Sequence, residues 1–442
     1  MSGAMARQGV AMDITFSYEA AGVVAGTEDL HRTIKAHESL ITQVQGGKVW
    51  NQAMFGWFSV QEAADPNRRA IIHAEAERVR SMADVMIVIG IGGSNRGAMA
   101  AVQALQQSLD GKTRLVWAGD TLSAARLKDV LATIRSSSVV LNVIAKDFNT
   151  VEPGISFRIL RQAMQEKYGE AYSERIIATG SRGPGQLGEL AERHGYRFLD
   201  FQPAIGGRFS VLSEVGLFPM AVAGIDIESM LEGAARCEQE LKTTDMYSNP
   251  AVQYAAMRSI LFRKGFIVES LAFFEPDLVH FARWWTQLFA ETEGKNRNAI
   301  FPTSFSYSED LHAVGQYVQQ GRRCIMETFL GAFHSDPGFR IPASPKVKDG
   351  FDHLDGKAYD ELNRAVYKAA LQAHSQDGVP CMEIRIPSLE AGTLGALFYF
   401  FMFTTYLSAS MLGVNPFTQD GVENYKRQMY RILGKPGYSG QE

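Results

Sequence analysis

The segment Asp84 to Ile91 (DVMIVIGI) is apolar at nearly every position, rich in Val and Ile, and ends in glycines; an Ala- and Gln-rich stretch, Ala98 to Leu109, follows. A short apolar run closed by turn residues suits a strand buried on both faces, so the pair predicts strand, tight turn, helix. Comparable runs recur at Thr113 to Ala118, Ser138 to Ala145 and Arg175 to Thr179, with helix-like spacing between them. Strands that alternate with helices and lack a polar face predict a parallel sheet covered on both sides. The pattern restarts after Gly207. Ser213 to Ala223, Pro250 to Arg263 and Leu278 to Glu291 have helical character, and Phe266 to Ala272, Cys324 to Phe329 and Met382 to Ile386 have strand character. The expected fold is α/β, with two doubly wound parallel-sheet domains, 51–205 and 206–387, an N-terminal segment, 1–50, and a helical C-terminal tail, 388–442.

One stretch complicates that picture. Gly392 to Gly413 carries no charge and is rich in Phe, Leu and Tyr, long enough to cross a bilayer. Five Thr and Ser residues (Thr393, Thr404, Thr405, Ser408, Ser410) and the lack of a basic flank favour a buried core helix, and no membrane partner is expected. A chain of 442 residues with 46% hydrophobic content can bury such a helix inside a large core. The balance of 44 Lys and Arg against 48 Asp and Glu, without a basic block, excludes nucleic acid as the expected partner. Three cysteines, Cys237, Cys324 and Cys381, lack any paired spacing and fit a reducing compartment. Met1 to Met12 lacks the apolar run of a secretory leader, which predicts the cytoplasm.

Candidate chemistry sits at the ends of these elements. Gly90-Ile91-Gly92-Gly93-Ser94 lies where a strand hands over to a helix, a place where backbone amides can approach an anion. A dinucleotide fingerprint is the competing reading, with Asp120 at the end of the next strand, but Asn95 occupies the third glycine position. Gly206-Gly207-Arg208-Phe209-Ser210 sets a cation between two glycines and a hydroxyl, able to face a developing oxyanion. Glu291 ends an aromatic helix, a setting expected to desolvate its carboxylate, with Gln287 one turn earlier on the same face; Glu293 is expected to be solvated. His312 and Lys426 add an imidazole and an ammonium, and with Glu291 they make a set that can move protons on and off a carbon acid and a ring oxygen.

Taken together these residues resemble the phosphoglucose isomerase family, bacterial type. The match runs through Gly206 to Asp226, Glu291 to Lys295, the frame from Asp310 to Gly321 and Ala409 to Lys426. The resemblance implies sugar-isomerase (SIS-type) domains and aldose–ketose isomerisation of an anionic hexose through a cis-enediol, with no cofactor and no metal. It also implies a homodimer in which His312 reaches the partner's pocket. His312 and Lys426 would assist ring opening, Glu291 would carry the proton between C2 and C1, and Arg208 would steady the enediol. Gly93, Ser94, Gln287 and Gln419 match substrate-contacting positions.

One loop departs from the family. Where relatives carry hydroxyl residues around the 6-phosphate, this chain has Ala145-Lys146-Asp147-Phe148-Asn149-Thr150. An Asp carboxylate about 4 Å from a phosphate costs on the order of 4 kcal/mol per unit charge at an effective dielectric of about 20. The altered loop therefore favours a singly charged sulfonate, as in 6-deoxy-6-sulfoglucose (sulfoquinovose), held by Lys146, Asn149 and Thr150 with Asp147 nearby. Glucose 6-phosphate is the alternative substrate, with Asp147 turned away. A non-catalytic sugar-acid sensor is the alternative of another class.

Overall fold

The computed structural model describes residues 14–106, 109, 113–146, 148–181, 186–334, 336, 338–347 and 349–438. Among these described residues, ten strands form two five-stranded sheets. The first contains β2 (Val85–Ile89), β3 (Arg114–Ala118), β4 (Val139–Ile144), β5 (Ile176–Gly180) and β6 (Arg197–Asp200), all parallel, in the order β3-β2-β4-β5-β6. β2, β4 and β5 are buried at every residue, which is why their sequences are apolar throughout. The order reverses between β2 and β4. At such a switch point the loops leaving neighbouring strands diverge and open a crevice at the carboxyl ends.

The second sheet contains β1 (Thr15–Ser17), β7 (Val268–Phe273), β8 (Phe301–Ser306), β9 (Ile325–Gly331) and β10 (Cys381–Arg385), in the order β1-β10-β9-β7-β8. Its strands are parallel except β1, which pairs antiparallel with β10. The N-terminal segment thus supplies an edge of this sheet. Both sheets are of the doubly wound parallel kind expected from the sequence.

The uncharged stretch is the helix Ala391–Met411, and 94% of its most apolar window is buried inside the molecule. It packs against the helices Ile227–Thr243, Pro250–Arg263 and Val279–Glu293, as a helix apolar on all faces requires. The first of these crossings depends on glycine. A Cβ at Gly395 would lie 1.9 Å from the Met230 carbonyl oxygen, and one at Gly233 would lie 1.9 Å from that of Gly392. Any side chain at either position would push the two helices apart.

Candidate active site

After β2 the chain makes a single 3-10 turn, Gly92–Ser94. The Asn95 side-chain amide, in the position where a dinucleotide fingerprint has glycine, donates to the Gly90 carbonyl at 3.0 Å and closes the turn. Gly93 lies directly on the backbone of Gly207: a Cβ there would fall 2.1 Å from the Gly207 carbonyl oxygen. Its lack of a side chain is what lets this turn meet the loop that carries Arg208. Ser94 is half-buried in the same turn.

Arg208 sits in the one-turn helix Gly207–Phe209 and is 6% exposed. Phe209 anchors that turn by stacking on Trp57, with ring centroids 4.6 Å apart. The guanidinium donates through Nη1 to Glu291 Oε2 at 3.2 Å and to Gln419 Oε1 at 2.9 Å. Nη2 donates to the carbonyl of Pro416 and, at 3.3 Å, to that of Thr418. A single cation therefore joins the Glu291 helix to the segment 416–419. Burial pulls its pKa down from the ordinary arginine value, and the neighbouring Glu291 carboxylate opposes that pull.

Glu291 lies in the last turn of Val279–Glu293. Gln287, one turn earlier, donates to its Oε1 at 2.9 Å, so each carboxylate oxygen is held by a separate donor. The side chain is 25% exposed and borders a cavity of about 810 Å³ shared with Lys295, Gln419 and Asp420. This corrects the expectation from the aromatic helix. Glu291 faces the cavity, whereas the desolvated carboxylate is Glu293, which was expected in solvent and is 0% exposed. Residues two apart on a helix point about 200° apart, so only one of them can face the cleft. Arg258, itself 0% exposed, grips Glu293 with two bonds, Nη1–Oε1 at 2.6 Å and Nη2–Oε2 at 3.0 Å. Its Nε donates to Glu269 Oε2 on β7 at 2.6 Å, and Nη1 also donates to Ser408 of the central helix at 2.6 Å. The carboxylate-bearing turn is thereby tied to a strand and to the core.

Lys295 completes the turn, and no role follows for it from the sequence beyond its place in the run Glu291 to Lys295. Its Nζ donates to the carbonyls of Glu291, at 2.9 Å, and Thr292, at 2.6 Å, placing a cation at the negative end of the helix. Burial and the nearby Arg208 bring its pKa down to about 8, against the pull of Glu293, Glu291 and Asp420. Its charge is therefore lost as pH rises through that value, and the field at Glu291 changes with it. Lys295→Met is expected to lower kcat by about 10- to 100-fold at neutral pH, the range for losing one or two charge-assisted bonds. Lys295→Arg should restore most of the rate and move an alkaline limb near pH 8 upward; a pH–rate series on the three proteins checks both.

The other expected residues are placed unevenly. Lys146 donates to the carbonyls of Pro203, at 2.7 Å, and Ile205, at 3.0 Å, so two of its three protons brace the approach to Gly206. Burial lowers its pKa. Asp147 lies outside the described residues. The Asn149 carbonyl accepts from the Tyr430 hydroxyl at 3.0 Å, and Thr150 is the N-cap residue of the helix Val151–Tyr168. Lys426 pairs with Glu423 at 2.8 Å on the helix Glu423–Ile432 and does not line the Glu291 cavity. The Glu423 hydrogen bond raises its pKa. His312, in the turn Glu309–His312, is exposed and also away from that cavity. Within one chain, then, Gly93, Arg208, Gln287, Glu291 and Gln419 come together, and His312 and Lys426 do not join them.

The profile of the family described as phosphoglucose isomerase matches residues 75–441. A glucose-6-phosphate isomerase of Staphylococcus epidermidis is 40% identical over 391 residues, 88% of this chain and 88% of the relative. One from Bacillus thuringiensis is 39% identical over 437 residues, 96% of each. In three dimensions the chain is similar to the crystal structure of a glucose-6-phosphate isomerase from Chlamydia trachomatis, with a TM-score of 0.81 at 20% identity, covering 96% of this chain and 89% of that one. It also matches a hypothetical protein from Thermus thermophilus with a TM-score of 0.86 at 22% identity, over 95% of this chain and 99% of that one; at these identities the likeness speaks for the fold. With its two sheets parallel except for the edge strand β1, a carboxylate clasped by Gln287 and Arg208, and this extent of sequence identity, the chain belongs to the phosphoglucose isomerase family.

Proposed function

We propose that this protein interconverts glucose 6-phosphate and fructose 6-phosphate. That it is an aldose–ketose isomerase follows from its family. The phosphate rests on one observation: relatives about 40% identical along most of the chain bear the name glucose-6-phosphate isomerase. They favour phosphate over the sulfonate expected from the altered loop. The residue that prompted the sulfonate, Asp147, lies outside the described residues and gives no counterweight.

In this mechanism Glu291 takes the C2 proton of the open-chain aldose. The C–H electron pair becomes the C1=C2 bond of a cis-enediol while the C1=O π pair moves onto O1, which takes up a proton. The carbon-bound proton then returns at C1 as O2 loses its proton and becomes the carbonyl of the ketose, so that the net change moves one proton from C2 to C1 and one from O2 to O1. Gln287 and Arg208 support the role by fixing both carboxylate oxygens, which limits the motion needed for transfer. Arg208 would place positive charge beside the oxygens of the enediol. Gly93, Ser94 and Gln419 border the hexose, and Lys146, Asn149 and Thr150 set the loop for the C6 anion. Ring opening is assigned to Lys426 and to His312 of a second copy in a cytoplasmic homodimer. In support, His312 is exposed and stands away from its own chain's cavity.

Turnover is expected on glucose 6-phosphate, with 6-deoxy-6-sulfoglucose processed at no more than about a tenth of that kcat/KM, a difference of about 1.4 kcal/mol. Parallel assays of ketose formation decide the matter, and preference for the sulfonate would reverse the substrate assignment.

A further inference from the structure

A second cavity, also of about 810 Å³, borders the loop Phe148–Thr150 and shares no lining residue with the Glu291 cavity. That volume is in the range that encloses most of a ligand of a few hundred daltons. Its floor is apolar, with Phe148, Ile155 and Leu190 contributing side chains. Its rim carries four cations from three parts of the chain. Arg158 and Arg161 come from Val151–Tyr168, Arg193 from the helix Gln186–His194, and Lys435 from just beyond Glu423–Ile432. One carboxylate, Glu189, stands among them.

A cluster of surface cations is usually a solvated face. Here the chain as a whole has net charge −4, so a four-to-one excess of cations around one cavity runs against its background. Among the described residues none of the four pairs with a carboxylate. Lys435 is held above the rings of Tyr430 and Tyr438, 3.9 and 5.6 Å from their centroids, and Arg161 stands 5.7 Å from that of Phe157. Aromatic faces fix these charges in place without neutralising them. Like charges gathered over an apolar floor repel one another, and an anion with an apolar body relieves the repulsion while covering the floor.

We propose that this cavity is a second binding site, for an organic polyphosphate with an aromatic body, of the nucleoside triphosphate kind. The phosphates meet the arginines and Lys435, and the ring system covers Phe148 and Leu190. One wall is Asn149-Thr150-Val151, and the Tyr430 hydroxyl that bonds the Asn149 carbonyl belongs to the same cavity. Occupancy is therefore expected to alter the KM for the sugar; that consequence alone rests on the substrate loop assigned above.

The test is calorimetric titration of the full chain with ATP, alone and with excess glucose 6-phosphate, and with tripolyphosphate as the ring-free control. Saturable one-to-one ATP binding is expected, about tenfold tighter than that of tripolyphosphate and retained in excess sugar, with its Kd shifted by the same factor by which ATP shifts the affinity for the sugar. Arg193→Glu with Lys435→Glu should weaken it at least about tenfold and leave turnover without ATP unchanged. Arg193→Gln with Lys435→Gln, which introduces no new charge, should show a smaller loss of the same sign and serves if the reversal impairs folding. No saturable binding, displacement by the sugar, equal binding of tripolyphosphate or indifference to both variants would each overturn the proposal. Isomerase activity of the same samples reports on the sugar reaction independently.

Discussion

Glu291→Gln is expected to lower turnover by about 10²- to 10⁴-fold, the usual span for losing a general base, while leaving the fold and the KM nearly unchanged. The substitution keeps the shape of the side chain and removes its basicity. Gln287 and Arg208 donate to different oxygens of the carboxylate, Oε1 and Oε2. In the variant the single amide oxygen keeps the Arg208 bond, and Gln287, whose buried Oε1 accepts no hydrogen bond among the described residues, can turn over to accept from the new NH2. The loss should therefore appear in the chemical step. The variant should also fail to exchange the C2 proton of the sugar with solvent, which proton NMR follows directly. An equally slow variant that still exchanges that proton would move the base to another residue and leave Glu291 a positioning role.

Arg258→Met is expected to cost about 3–5 kcal/mol of stability, because it strands two buried carboxylates, Glu269 and Glu293. Both are 0% exposed, and neither can regain water without opening the core. The network is better satisfied than an isolated pair, since Glu269 also accepts from the Tyr254 hydroxyl at 2.6 Å and from Thr328 Oγ1 at 2.8 Å. Glu293 has fewer donors, so its side of the network should yield first, and the turn that carries Glu291 with it. Chemical denaturation should show a lower midpoint for Arg258→Met. Adding Glu293→Met to that variant should recover part of the loss, because it removes one of the stranded charges. A midpoint within experimental error of the parent would show that the carboxylates find other partners.

The sequence reveals the strands of this fold unevenly, and sheet position explains the pattern. β2, β4 and β5 are interior and buried at every residue, and their apolar runs stand out. The strands that periodicity misses are β1, β6 and β8, and each lies at a sheet edge. An edge strand can be short and half-polar, and it tolerates residues that a central strand cannot. β8 is Phe-Pro-Thr-Ser-Phe-Ser and carries Pro302; β1 has three residues and β6 four. The uncharged stretch near the C-terminus shows the reverse case. Its composition alone allows a membrane span, and the close helix crossing at Gly233 and Gly395 shows how the core encloses it.

The site is legible in its residue types and less so in their partners. Arg208, Gln287, Glu291 and Gln419 are identified by motif and meet in space. The assignment of Glu293 to solvent fails because its partner, Arg258, lies 35 positions away in a segment with no motif of its own. Lys146 fits a substrate-anion role in sequence, yet the fold commits two of its protons to carbonyls of a loop brought near only by the crossover from β5 to β6. Side-chain commitments of this kind depend on long-range packing, which spacing along the chain does not encode.

The central claim, isomerisation through an enediol, is tested most directly with glucose 6-phosphate deuterated at C2, followed by NMR in ordinary water. The expected result is fructose 6-phosphate in which part of the deuterium has moved to C1 and part has been replaced by solvent hydrogen, as transfer by one carboxylate requires. Absence of the ketose, or full retention of the label at C1, would contradict the account.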